Sequence, residues 1–123
     1  MQNGFNAYAA AAKTAQSVVS PRELEASLLI KAATRLQAVA EDWNLRDREL
    51  EEALTYNRRL WTLLVSAVIA EDNPLPVGIK TNILSLANFI FNQTFKISAD
   101  PQPQSLGVLV NINRDIAAGL RGR

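Results

Sequence analysis

The chain has 123 residues, with thirteen Lys and Arg against twelve Asp and Glu, and neither Cys nor His. That near-even charge gives no strong pull on phosphate backbones. The missing residue types exclude disulfides, thiol nucleophiles, the common zinc sites and histidine acid–base chemistry. The length suits one domain over 1–123, able to bury roughly two thirds of the surface its unfolded form exposes.

Residues 4–18 form the first expected helix, an Ala-rich amphipathic segment with Phe5, Tyr8, Ala12, Ala15 and Val19 on one side. It has no basic region before the Ala7–Ala12 run and does not read as a signal peptide. Small side chains bury little area, so we expect it to be loosely held. Ser20-Pro21-Arg22-Glu23 then reads as a helix start. Ser20 is placed to cap, Pro21 suits the first helical position and Glu23 completes a capping box. The helix is expected over 21–41, burying Leu24, Leu28, Leu29, Ala32, Leu36 and Val39.

The third helix, over 46–70, organises the rest, with Asp47 as its candidate cap. On a helical wheel Leu50, Ala53, Leu54, Leu60, Trp61, Leu64, Val65 and Val68 share one broad arc, the 3.6-residue period of a buried face. Its longest apolar run, Leu60–Ala70, falls short of the roughly 18 residues a membrane span needs. A soluble cytoplasmic protein is therefore expected. Pro74 and Pro76 force a turn, and the fourth helix, over 77–98, returns antiparallel. It carries one stripe of Ile79, Ile83, Leu86, Ile90 and Ile97, and another of Leu84, Phe91 and Phe95. Together they are wider than the apolar stripe of an ordinary surface helix, so either the helix is central or part of its surface is kept for a partner. After Asp100-Pro101-Gln102-Pro103 a last helix, over 103–118, buries Leu106, Leu109, Val110, Ile112, Ile116 and Leu120, with Gly119 as its stop. The expected fold is all-α, a compact antiparallel bundle of about five helices.

Two asparagines break the apolar arcs. Asn57 and Asn113 each fall at the centre of a buried face, and each is followed by an arginine, Arg58 and Arg114. A buried amide left unpaired costs roughly 1–3 kcal/mol. The leading reading is a structural polar core, in which they bond each other or nearby backbone and fix helix register. The other is that they meet a bound peptide. Arg58 and Arg59 beside Trp61 suggest a nucleic-acid patch, but Glu51 and Glu52 on the same helix make a solvated mixed-charge face the commoner outcome. Tyr56 and Trp61 are candidate interface anchors, with Trp61 as plain core the competing reading. Phe89, Phe91 and Phe95 are candidates for a helix-in-groove partner site. No nucleophile elbow or Gly-rich phosphate loop is present, and no enzyme activity, cofactor or metal is expected.

Five stretches in order, SPRELEASLLIKAATRL (20–36), ALTYNRRLW (53–61), EDNPLP (71–76), NILSLANFIF (82–91) and INRDIAAGL (112–120), resemble the FlaF family of flagellar biosynthesis regulators from alphaproteobacteria. The segment before Ser20 matches less well. The resemblance implies a small cytoplasmic helical protein needed for flagellin production and export, a flagellin-directed secretion chaperone working opposite the FlbT regulator. It implies flagellin as partner, with FlbT a second candidate, and carries no catalytic or cofactor residues. The partner-binding candidates Tyr56, Arg58, Trp61, Phe89, Phe91, Phe95 and Arg114 rest on physical grounds alone. An alternative is post-transcriptional regulation through FlbT or flagellin mRNA, and a homodimer closing the surplus apolar face is a third.

Overall fold

The fold is that of a computed structural model, which describes residues 21–122. Among these residues there are four α-helices, two short 3-10 turns and no strand. We number the helices α1 (Pro21–Glu41), α2 (Arg46–Val68), α3 (Val77–Ala99) and α4 (Leu106–Leu120). The expected helix over 4–18, and the Ser20 side of the capping box, lie outside the described residues.

The helices run up-down-up-down. Glu23 at the start of α1 pairs with Arg121 just past the end of α4, which makes α1 and α4 antiparallel. They form the closest helix pair, because α1 presents Ala26, Ala32 and Ala33, all fully buried, and α4 presents buried Ala117. Small side chains let helix axes approach toward the short end of the usual 8–10 Å. α2 packs on α1 and then on α3, while α3 and α4 touch least of the neighbouring pairs. The bundle is thus tight around α1, α2 and α4, with α3 carried mainly by α2.

The connections follow from particular residues. Trp43–Leu45 form a 3-10 turn, held where the Arg46 guanidinium donates to the Trp43 carbonyl at 2.9 Å. Asp47 does not cap α2. Leu45 occupies the cap position with no side-chain bond, and Asp47 sits in the first turn, where a carboxylate still favours the positive end of the helix dipole. α2 ends at Val68, two residues before the expected boundary. The reason is Asn73, whose Nδ2 donates to the Ala67 carbonyl at 2.9 Å while its Oδ1 accepts from the Leu75 amide at 2.9 Å. One side chain thus adds a second bond to a last-turn carbonyl that already accepts from the Ala70 amide at 3.3 Å and shapes the turn that buries Leu75. Pro76, in extended conformation, then starts α3.

The last helix is preceded by a 3-10 turn over Pro103–Ser105 and continues to Leu120. Gly119 therefore lies inside the helix and is not its stop. The stop glycine is Gly122, whose φ of 78° puts it in the left-handed region that ends many helices.

Burial corrects several side chains. Leu24 and Leu28 on α1, and Ile112 and Ile116 on α4, are half-buried rather than core. On α3 the buried line is Ile83, Ala87, Ile90, Thr94 and Ile97. Thr94 is tolerated there because its hydroxyl donates to the Ile90 carbonyl at 2.7 Å. Of the two expected stripes, Ile79, Leu84 and Phe95 are exposed, and Leu86 and Phe91 are half-buried.

Candidate functional site

At the centre of the bundle the two asparagines meet. Asn113 Nδ2 donates to Asn57 Oδ1 at 2.6 Å and to the Leu29 carbonyl at 3.4 Å. Trp61 Nε1 donates to Asn113 Oδ1 at 2.9 Å. All three side chains are fully buried. The orientation of both amides follows from the indole, which can only donate. It claims Asn113 Oδ1, so Asn113 Nδ2 must face Asn57, and Asn57 must answer with its oxygen. Asn57 Nδ2 is left buried without a partner. This node joins α1, α2 and α4, and it removes Trp61 from the surface: with none of its area exposed, it cannot anchor a partner. Its nitrogen is used within the core.

Tyr56, one residue before Asn57, is half-buried on the α1 side of α2. The Arg35 guanidinium lies 5.0 Å from its ring centroid and the Lys31 ammonium 5.8 Å, both within cation–π range. Burial pushes the Tyr56 hydroxyl pKa up, against a smaller downward pull from Arg35. Here α1 and α2 leave an open cleft of about 620 Å³, floored by Leu28, Leu60 and Leu63 and rimmed by Arg35 and Glu52. The Arg35–Glu52 pair spans 4.0 Å between exposed side chains and contributes little. The spacing of Tyr56 from the asparagines gave no hint of this paired-cation arrangement, since Lys31 and Arg35 come from another helix.

α3 presents the other surface. Val77 and Phe95 are 78% and 77% exposed, and Leu84 and Phe89 about 40% each at 38% and 43%. Phe91 is half-buried against the core. The three phenylalanines do not form one patch. Phe95 and Phe91 lie on one flank of the buried line and Phe89 on the other, a separation set by the 100° step per residue. On the Phe89 flank, α3 and α4 leave a groove of about 320 Å³ lined by Ile79, Leu86, Ile112, Ile116 and Leu120, with Asp115 on its border. Gly119 also faces it, and a Cβ added there would meet nothing within 4 Å. Arg58 and Arg114 are exposed on different helices, and the structure does not bring them to one site with the phenylalanines.

Sequence reasoning also missed the clamp between the start of α1 and the end of α4. Arg121 Nε donates to both Glu23 carboxylate oxygens at 2.9 Å, and its Nη2 reaches Glu23 Oε1 at 2.7 Å and Ser27 Oγ at 3.3 Å. Hydrogen bonding to Glu23 raises the Arg121 pKa further above its ordinary value. Glu23, read as half of a capping box, thus ties α1 to α4.

Among the described residues no cluster of His, Cys, Asp and Glu is arranged to hold a metal ion, and no helix is long and apolar enough to cross a membrane. No curated protein and no solved structure matches the chain. The model of one family, described as flagellar protein FlaF, matches residues 5–120. That match spans all four helices and the polar node, and the chain accordingly belongs to the FlaF family of flagellar proteins.

Proposed function

We propose that the protein is a cytoplasmic flagellin-binding secretion chaperone and adaptor, promoting flagellin synthesis and export. Family membership supports a flagellar role. The observation that carries the finer reading is α3, which leaves Val77, Leu84 and Phe95 in solvent along one flank. Large apolar side chains concentrated in this way mark interaction sites. Flagellin exposes amphipathic terminal segments before assembly, and covering one would hold it monomeric until export. The role is one of binding, with no chemical step.

Calorimetry with monomeric flagellin, at low and high salt, tests this. The expected result is tight association with a negative heat-capacity change and little salt dependence. Absence of heat under every condition would sink direct flagellin binding. Steeply salt-dependent binding to flagellin mRNA would instead favour a post-transcriptional role.

A further inference from the structure

Along α3 the positions Val77, Thr81, Leu84, Asn88, Phe91 and Phe95 follow steps of four and three residues. All but the half-buried Phe91 are exposed. This is a second line with the spacing of the buried one, turned about a quarter to a third of the way round the helix. Alternating steps of four and three are the heptad spacing by which one helix keeps a seam against another over several turns. A bound strand or loop would not require it. The line runs from the first residue of α3 almost to its end, about 27 Å at 1.5 Å per residue.

Charge narrows the occupant. Lys80 and Lys96 are the only charged residues in α3, with no carboxylate from Val77 to Ala99. Lys80 borders the seam on the side toward the core, and Lys96 follows Phe95 on the open side. Among the described residues neither has a carboxylate within ion-pair distance. A second α3 laid on this one would offer neither lysine an acid, and would add two more cations. Asn88, midway along the line, would face an apolar partner at a cost, so it selects a partner with a polar group at that level.

We infer that the outer seam of α3 receives one amphipathic helix from another protein. That helix carries an apolar stripe in a 3.5-residue repeat, a polar residue opposite Asn88, and Asp or Glu on its flanks near Lys80 and Lys96. The inference rests on the flagellin reading for the identity of that helix, and makes it an acid-flanked terminal segment. The α1–α2 cleft and the α3–α4 groove are left out of this contact.

The test uses the full chain, monomeric flagellin, and two three-heptad helical peptides with Leu along the seam except for one Asn at the level of Asn88, one flanked by Glu and one by Lys. Phe95→Ser alters a side chain in solvent, and K80E/K96E reverses the charge without touching the core. Folding of each is checked by far-UV circular dichroism. Flagellin and the Glu-flanked peptide should bind the native chain. F95S should weaken both at least tenfold, and K80E/K96E should exchange the peptide preference to the Lys-flanked form. Flagellin binding unchanged in both variants would overturn the seam and leave the flagellin reading standing. Binding of the Glu-flanked peptide with the expected exchange, but no binding of flagellin, would support the seam and overturn the flagellin reading. A native dimer that F95S converts to monomer would assign the seam to a second copy and overturn the inference. No binding of either probe would overturn both.

Discussion

The polar node predicts that its two asparagines are unequal, although each is buried and each sits mid-helix. Leu is close in heavy-atom shape to Asn, so replacing either one tests the polar chemistry with little change in volume. Asn113→Leu removes the acceptor of Trp61 Nε1 and the donor to Asn57 Oδ1. Two buried groups are orphaned, each costing about 1–3 kcal/mol, so the loss should be about 2–6 kcal/mol. Asn57→Leu deletes one bond worth about 1 kcal/mol. It also deletes an amide nitrogen that already lacks a partner, a relief of similar or larger size. Asn113 Nδ2 keeps the Leu29 carbonyl at 3.4 Å. The net change should therefore lie within about 1 kcal/mol of zero. Urea unfolding followed by far-UV circular dichroism measures both, and an unchanged m-value would place the difference in stability rather than in compactness. In the double variant only Trp61 Nε1 is stranded, so its loss should fall below that of Asn113→Leu alone. Equal losses for the two single variants, or a larger loss for Asn57→Leu, would refute the bonding pattern.

Gly119→Ala should stabilise by about 0.5–1 kcal/mol, because a helical glycine costs conformational entropy and the added methyl meets nothing within 4 Å. A lowered Tm would show that this helix end is more crowded than described. Tyr56 has its pKa raised above 10.0 by burial, so its contribution is complete below pH 10 and fades as pH rises toward the folded value. Tyr56→Phe should flatten the fall of Tm as pH rises above 10.0, and an unchanged slope would contradict a buried hydroxyl. Arg121→Gln should raise hydrogen exchange in the last turn of α4 and leave α2 unaffected, since the clamp it breaks joins only α1 and α4. Exchange unchanged at that end would reduce the clamp to a surface contact.

What could be read from the chain was set by local signals. Pro21, Pro74 and Pro76 fix backbone dihedrals whatever surrounds them, and the helix starts at Pro21 and Val77 follow directly. The central asparagines were visible because each interrupts an apolar arc on its own helix. That they bond each other or nearby backbone followed from the cost of an unpaired buried amide. The Trp61 indole as third partner required knowing how α2 and α4 meet across the core. Non-local pairings left little local mark. Glu23 and Arg121 are 98 positions apart, and a glutamate three residues after a serine reads equally well as a capping box. The same limit applied to α3. Periodicity placed Phe89, Phe91 and Phe95 on a wide apolar surface, yet only packing decided that α2 covers its middle and leaves both flanks open. Trp61 shows the reverse case, an aromatic with interface chemistry whose polar end was satisfied from within.

The close pairing of α1 with α4 has a consequence for how the molecule is made. These helices are separated in sequence by all of α2 and α3, so the most intimate interface has the longest loop to close. Contacts of that kind form late and slow the overall reaction. Until α4 has been synthesised, the alanine face of α1 and the indole nitrogen of Trp61 have no cover, and the earlier helices resemble a bundle with one wall missing. A nascent or truncated chain in that condition would be a target for holdase chaperones and proteases. A premature stop within α4 should therefore remove the protein from the cell, rather than yield a shortened but folded form.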